Sequence, residues 1–187
     1  MNLIGKKVIL RAMEEKDLEM LLESINDPET EKYVGGYSFP TSMKQQKEWF
    51  DKNSNDNHNI RMMIETKNDG VVGFANIINI DWKNRTASHG VKIFNNELRS
   101  KGIGTDTVMA IMRYCFEELN LNKLEGAIIA YNKASINLYI TKCGWKVEGT
   151  RRKSIFKNNA YHDDIIMGIL KEEYHQLIEH NKYWENE

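Results

Sequence analysis

The chain has 187 residues, of which 41% are hydrophobic and 28% charged, so a sizeable core can form beneath a polar surface. Its 26 Lys and Arg residues against 27 Asp and Glu residues leave a formal net charge of -1, without the basic excess typical of a duplex-binding protein. We therefore expect no nucleic-acid partner, and the length favours a single domain over residues 1–187.

Two further absences narrow the class of protein. The first seven residues lack the apolar run of a signal peptide, and no window approaches the roughly 18 consecutive apolar residues of a membrane span. We expect no membrane partner and a cytoplasmic location. Cys115 and Cys143 lie among apolar residues without a CxxC motif or a paired His, so we expect reduced core thiols and no metal site.

The first third of the chain predicts one strand and two helices. Residues 7–11 read as a short strand, and residues 42–53 read as a helix that Thr41 caps. Residues 28–41, bracketed by the only two prolines, are expected to be irregular. The period of an amphipathic helix runs through residues 14–26 and places four apolar side chains on one face: Leu18, Leu21, Leu22 and Ile25.

The middle of the chain changes to the residues typical of strands. Three segments rich in β-branched and aromatic residues, 60–65, 71–80 and 86–94, predict an antiparallel meander. Asn68-Asp-Gly70 forms the hairpin between the first two, because Gly tolerates positive φ. The remaining elements are a helix over 102–120, a strand over 123–130, a helix over 132–142, strands over 145–156 and 161–170 around a turn at 157–159, and a polar helix from Glu172.

The predicted order is β-αα-βββ-α-β-α-ββ, followed by a polar helix. It combines a long antiparallel stretch with one β-α-β crossover, so the expected class is α+β, with a mixed, mostly antiparallel central sheet and flanking helices. The order of elements alone assigns no function.

The loop between the third meander strand and the long helix has the composition of an anion site. Gly102 and Gly104 let the backbone approach a bulky anion, and the first turn of a helix offers unpaired N–H groups and a partial positive charge. Arg99 and Lys101 add cationic donors. A plain strand-to-helix turn is the alternative. The chain has no GxxxxGK[ST] or GxGxxG phosphate-binding motif that would compete.

Five segments in order resemble one known family. Arg-x-x-Gly-x-Gly over 99–104 is similar to the Q/R-x-x-G-x-G/A signature of the GNAT superfamily of acyl-CoA N-acyltransferases. The similarity covers most of the chain and is closest to the branch of ribosomal-protein N-terminal acetyltransferases and spermidine acetyltransferases. The other segments that carry it are residues 5–11, 132–139, 143–149 and 161–170.

The resemblance implies acetyl-CoA as cosubstrate and positions for binding it. Main-chain groups of Lys92, Ile93 and Phe94 would pair with the pantetheine arm. Asn132 would lie near that arm at the start of the next helix, where it also suits an N-cap. The pyrophosphate would be held by the loop residues Arg99, Ser100, Lys101, Gly102, Ile103, Gly104 and Thr105.

The resemblance also implies a proton donor for the leaving thiolate. Relatives carry a tyrosine seven residues after the Asn, and Tyr139 occupies that position. A phenol with a pKa of about 10 is protonated at neutral pH and can act as a general acid. Relatives have four steps from this tyrosine to the following Gly, whereas here Gly144 lies five steps on, which would put Ile140 in its place. We keep Tyr139, because a one-residue helical bulge absorbs the insertion.

His89 is the candidate base. It lies on the strand that leads to the cofactor loop, and a histidine can accept the proton of the amine through water near neutral pH. The alternative is a structural histidine held by hydrogen bonds.

The acceptor site is expected between the early helices and the last hairpin. Its candidate residues are Glu29, Glu31, Tyr33 and Tyr37, since carboxylates can hold a cationic amine, although a solvated acidic loop is an equal alternative. Asp163 and Asp164 near the C-terminal hairpin are ambiguous in the same way. The leading hypothesis is acetylation of a protein N-terminal amine. The alternatives are a polyamine such as spermidine, a nucleotide-linked amino sugar, or a non-catalytic acyl-CoA-binding module. Relatives are often dimers, so a homodimer is a further expectation.

Overall fold

The computed structural model describes residues 1–35, 39–53, 56–98 and 100–185. Within these ranges the strands form a single sheet in the order β1-β2-β3-β4-β5-β6-β8-β7. The strands are β1 (Leu3–Ile4), β2 (Val8–Ala12), β3 (Ile60–Thr66), β4 (Gly70–Asp81), β5 (Thr86–Ile93), β6 (Lys123–Ile129), β7 (Lys146–Lys157) and β8 (Ala160–Leu170). The helices are α1 (Leu18–Asn26), α2 (Pro28–Glu31), α3 (Met43–Asn53), α4 (Ile103–Arg113), α5 (Lys133–Ile136) and α6 (Lys171–Asn181).

The expected fold class is confirmed. All neighbouring strands pair antiparallel in the described sheet except β5 and β6, which are parallel because α4 returns the chain between them. The β3–β4 hairpin turns at the predicted Gly70, whose φ is 66°. The β7–β8 hairpin turns at Asn158 and Asn159, which both adopt positive φ.

The core lies between the sheet and α4. The predicted periodic face of α4 is fully buried and includes Val108, Ile111 and Met112. Cys115 and Cys143 are free, buried thiols, as expected, and burial raises the pKa of Cys143 to about 12. The opposite face of the sheet carries a second apolar cluster, in which α1 contributes Leu18 and Leu21.

Two expectations about the early helices need correction. The predicted helix over 14–26 opens with a short 3-10 turn at Glu15–Asp17, and Ile25 is 43% exposed rather than buried, whereas its neighbour Ser24 is buried. The segment predicted to be irregular contains α2, whose first turn is capped by Asp27: its carboxylate accepts hydrogen bonds from the backbone N–H groups of Glu29 and Thr30.

Two helices end in π-helical turns. The predicted helix over 102–120 becomes π-helical at Tyr114–Glu118, and α5 continues as a π-helical segment over Asn137–Lys142. In the second segment the N–H of Cys143 bonds to the carbonyl of Leu138, five residues back, which marks one inserted residue.

No helix in the described ranges has both the length and the apolar character required to cross a bilayer.

Candidate functional site

The sheet opens where β5 and β6 diverge. Their parallel pairing begins at Thr86 and Lys123 and ends at Ser88 and Glu125, whereas β5 continues to Ile93 and β6 to Ile129. Beyond Ser88, the edge of β5 that faces β6 pairs with no strand in the described part of the chain. The result is a wedge-shaped gap, with main-chain groups of β5 available to an extended ligand.

Two cavities meet at this gap. The loop cavity has a volume of about 490 Å³ and runs along Ser100–Thr105 and the start of α5. The gap cavity has a volume of about 330 Å³ and contains His89 and Tyr139. Both volumes lie in the range of ligand sites. The residues shared by the two walls are Tyr33, Val34, Val91, Asn132 and Ser135.

The loop cavity ends at the N-terminus of α4. Gly102 is the N-cap residue with φ of 85°, a conformation that favours glycine, and no described side chain caps the helix. The first-turn N–H groups therefore stay available for an anion. Ser100, Gly102, Gly104 and Thr105 line the cavity. The side chain of Ile103 is buried in the core, so only its backbone can serve a ligand.

The start of α4 is held by contacts that the sequence patterns do not reveal. Asp106 is buried, and its carboxylate accepts backbone N–H bonds from Lys6, Lys7 and Val8 at 2.6 to 3.0 Å. Lys7 Nζ donates to the carbonyl of Lys101 at 2.8 Å. These contacts tie the turn between β1 and β2 to the glycine loop. Arg99 lies outside the described residues.

The three strand residues predicted to serve the pantetheine arm differ in where their side chains go. Lys92 Nζ donates to the carbonyl of Ser24 in α1 at 2.7 Å, and Phe94 packs in the second apolar cluster. Ile93 packs against the main core on the other face. All three side chains thus make contacts within the protein, and the main-chain edge of the strand is the part left to pair with a ligand.

Asn132 lies where the two cavities meet. Its Oδ1 accepts a hydrogen bond from the N–H of Ser135 at 3.2 Å, as expected of the N-cap of α5, and its Nδ2 donates to the carbonyl of Tyr33 at 3.4 Å. The side chain therefore links α5 to the segment after α2. It lines both cavities, so capping and ligand contact are compatible.

Tyr139 and His89 meet in the gap cavity. The Tyr139 hydroxyl lies 3.1 Å from His89 Nε2, and both side chains are buried. The Tyr139 ring packs edge-on against Trp145 at a centroid distance of 4.9 Å. Burial, with a smaller contribution from Cys143, raises the pKa of Tyr139, so its hydroxyl is protonated at neutral pH.

The hydrogen bonds of His89 define its tautomer. Its Nδ1 lies 3.0 Å from the carbonyl oxygen of Asn76, which can only accept, so the proton is on Nδ1. Nε2 then accepts from the Tyr139 hydroxyl. Burial lowers the pKa of His89 to about 4, partly offset by the bond to Asn76. His89 is therefore neutral at pH 7.

This neutral histidine predicts a pH dependence of stability. Between pH 6.5 and about 4 the unfolded chain binds a proton at His89 that the folded chain does not, so the free energy of unfolding should fall as pH falls. The contribution is roughly 3 kcal/mol across that window. Urea unfolding from pH 7 to 4 should show a shallower pH dependence for His89→Gln than for the wild type.

His180, exposed on α6, provides the control. His180→Gln should keep the wild-type pH profile of stability. Equal slopes for His89→Gln and the wild type would show that His89 is protonated in the folded protein over this range.

The π-helical segment explains the spacing that departs from the family pattern. It takes up the extra residue between Tyr139 and Gly144, and the N–H of Trp145 bonds to the carbonyl of Tyr139 at 3.0 Å. Tyr139 consequently lines the gap cavity, whereas Ile140 packs against the core. The predicted bulge is confirmed.

The acidic candidates for the acceptor are not brought into the cavities. Glu29 pairs with Lys32 at 2.5 Å on the surface, and Glu31 Oε1 accepts from the buried Lys157 Nζ at 2.5 Å. Neither glutamate lines a cavity. Tyr33 lines both, and its ring packs edge-on against Tyr131. Tyr37 lies outside the described residues.

Two lysines at the cavities escaped sequence reasoning, and a carboxylate that the sequence left ambiguous lies there too. Lys133 and Lys142 line the loop cavity, and Asp164 lines the gap cavity. Lysines on a solvated helix carry no distinguishing pattern. The side of the sheet on which Asp164 lies depends on strand pairing.

Comparisons with known proteins agree with this geometry. The family model described as "Acetyltransferase (GNAT) domain" matches residues 7–146. The SPbeta prophage-derived uncharacterized N-acetyltransferase YokL of Bacillus subtilis is 29% identical over 170 residues, which cover 91% of this chain and 93% of the relative. The putative ribosomal N-acetyltransferase YdaF of B. subtilis is 27% identical over 176 residues, covering 91% of this chain and 95% of the relative.

A solved structure extends the similarity to three dimensions. The crystal structure of spermidine N-acetyltransferase from Vibrio cholerae in complex with CoA and spermine superposes with a TM-score of 0.85. It is 26% identical to this chain and covers 91% of this chain and 99% of that chain. The same V. cholerae enzyme has also been described in a dodecameric structure.

Proposed function

Because this chain belongs to the GNAT acetyltransferase family, and is thus an acetyl-CoA-dependent N-acetyltransferase, we propose that its acceptor is a polyamine of the spermidine class. One observation carries the site assignment: the buried Tyr139 hydroxyl lies 3.1 Å from His89 Nε2, and both residues line the gap cavity, which shares a wall with the loop cavity. The spermine complex of a relative with 26% identity supports the choice of acceptor.

The residues present fit acetyl-CoA. We assign the pyrophosphate to the uncapped N-terminus of α4, between Ser100 and Thr105, where glycines leave room and N–H groups are available. Lys133 and Lys142 supply positive charge to the same cavity. The main-chain edge of β5 that lies beyond Ser88 would pair with the pantetheine arm. Arg99 stays a prediction.

Tyr139 is the proposed proton donor. Acetyl-CoA supplies a thioester, and its transfer to an amine forms a C–N bond, breaks the C–S bond and leaves a thiolate that needs a proton. The Tyr139 hydroxyl is a buried, protonated group in this cavity. Its raised pKa keeps it protonated at neutral pH, and after its proton has passed to the sulfur, the proton lost by the amine nitrogen restores the phenol.

His89 is better suited to positioning Tyr139 than to taking a proton from the amine. Its Nε2 already accepts the phenolic hydrogen, and its pKa of about 4 makes it a weak base at neutral pH. The bond from Nδ1 to the Asn76 carbonyl fixes the ring. We therefore replace the predicted base with a positioning role, in which His89 keeps the hydroxyl of Tyr139 in the gap.

The other acceptor hypotheses have weaker support. A protein N-terminal amine is supported by a relative named as a putative ribosomal acetyltransferase. No observation in the described cavities favours a nucleotide-linked amino sugar. The hypothesis of a non-catalytic acyl-CoA-binding module rested on the insertion after Tyr139. The π-helical segment accommodates that insertion and removes the argument. Assembly into a homo-oligomer stays a prediction.

The test is release of CoA thiol from acetyl-CoA in the presence of a panel of amines. The panel comprises spermidine, spermine, a peptide with a free N-terminus and a nucleotide-linked amino sugar. Spermidine or spermine should give the highest kcat/KM, by at least about tenfold over the peptide, since buried charge pairing discriminates by more than 1.4 kcal/mol. A preference for the peptide or the amino sugar would overturn the assignment.

A further inference from the structure

Asp164 is the acidic residue of the gap cavity. It is 4% exposed and is the one carboxylate among the described residues that line this cavity. Its Oδ2 accepts a hydrogen bond from Arg151 Nη2 at 2.5 Å. The Arg151 side chain is 59% exposed, so the guanidinium can leave for water at little cost. A buried carboxylate thus has a partner that can be exchanged.

The strand pairing places Asp164 on the side of the sheet away from Tyr139. Ile165 and Met167 contact the core on the α4 side, and side chains alternate along β8, so Asp164 faces the side of α1 and α3. Both Asp164 and Tyr139 nevertheless line the gap cavity. The cavity therefore passes through the opening between β5 and β6, with the phenol at one side and the carboxylate at the other.

This arrangement suits an acceptor with two positive charges. Its reacting amine has to be neutral in the gap, where no described lining residue offers a carboxylate except Asp164. A second ammonium on the same molecule can take the place of Arg151 on Asp164. An unpaired buried carboxylate would cost several kcal/mol. Exchange of one cation for another avoids this cost, because the carboxylate stays paired.

We propose that Asp164 binds the second, non-reacting ammonium of a di- or polyamine, and that Arg151 holds the carboxylate until the acceptor arrives. This inference rests on the proposed polyamine acetyltransferase function and assigns its specificity to one residue. Asp164 is a binding residue, and the chemistry at the thioester does not involve it.

The test compares 1,4-diaminobutane with 1-aminobutane, two acceptors of equal chain length that differ in the second ammonium. For the wild type, kcat/KM should be higher for the diamine. Asp164→Asn should reduce the diamine-to-monoamine ratio by about tenfold or more, through the KM of the diamine. Arg151→Gln should raise the ratio, because a competitor of the ammonium is gone.

The opposite effects of the two variants separate binding from a structural ion pair. If the pair only supported the fold, both variants would lower stability and activity together and leave the ratio unchanged. Asp163→Asn is the matched control, since Asp163 lies next in the chain but outside the cavity lining, and its ratio should equal that of the wild type. CoA affinity and thermal unfolding verify that each variant is folded.

Each result decides between the two proposals. A wild type that acetylates spermidine but does not distinguish the two butylamines overturns the role of Asp164 and leaves the polyamine function standing. A ratio unaffected by Asp164→Asn does the same. A wild type that acetylates none of these amines overturns both. Should Asp164→Asn fail to fold, Arg151→Gln decides, and a ratio that is unchanged or lower would contradict the inference.

Discussion

Tyr139→Phe is expected to lower kcat by a factor of about 100 to 10,000, the range typical of a lost general acid. The substitution removes one oxygen and keeps the ring, which packs against Trp145 and His89. Affinity for CoA should be unchanged, because the hydroxyl contacts His89 and the gap cavity rather than the N-terminus of α4. Steady-state thiol release and equilibrium CoA binding measure the two quantities separately.

Tyr161→Phe is the control for the loss of a phenol. Tyr161 is 65% exposed on the β7–β8 hairpin, and its variant should retain the wild-type kcat. A kcat for Tyr139→Phe within a few fold of the wild type would place the proton donor elsewhere. The two steady-state parameters add a second criterion. Loss of a donor that acts on the thiolate lowers kcat and leaves KM for the amine little changed.

Gly104→Val is expected to weaken CoA binding by roughly a hundredfold, without unfolding the protein. A Cβ at this position would lie 3.3 Å from Leu138 Cδ2, and the added methyl groups would fill the loop cavity beside the first-turn N–H groups of α4. Loss of two hydrogen bonds to a charged group costs about 3 kcal/mol, which corresponds to that factor. Valine has a higher helix propensity than glycine, so α4 should remain intact.

Gly149→Val tests whether the effect belongs to the site. Gly149 lies on β7, and a Cβ there meets no atom within 4 Å. This variant should bind CoA with wild-type affinity in a calorimetric titration. Wild-type CoA affinity for Gly104→Val would remove the N-terminus of α4 from the binding site.

Local patterns predicted much of the fold because they record burial along the chain. The helical period of Val108, Ile111 and Met112 identified α4, and the β-branched segments identified the meander. The glycine loop was found for another reason: residues without Cβ let the backbone approach an anion, and Gly102 adopts positive φ in the structure. These signals lie within a few residues of one another.

Interactions between distant residues were out of reach. Glu31 is predicted from the sequence as a ligand for an amine, and the structure pairs it with Lys157, more than a hundred positions later. Asp106 holds the N–H groups of Lys6 to Val8 across a similar distance. Such pairs depend on the tertiary fold, and the periodicity of the sequence does not predict them.

The candidate site shows the same difference between local motifs and contacts of distant residues. The α4 loop and Tyr139 were identified because contiguous motifs resemble those of the family. His89 was found as a residue, but its role as a neutral partner of Tyr139 follows from burial and from the Asn76 carbonyl. Asp163 and Asp164 were equally ambiguous in the sequence, and only the register of β8 and the opening between β5 and β6 distinguish Asp164.

The most direct test of the proposed cofactor and acceptor sites is a crystal structure with CoA and spermidine bound. We expect the pyrophosphate at the N-terminus of α4, the sulfur within about 3.5 Å of the Tyr139 hydroxyl oxygen, and a spermidine ammonium within hydrogen-bonding distance of Asp164. A sulfur outside the gap between β5 and β6, or one closer to another proton donor than to Tyr139, would contradict the proposed role of Tyr139.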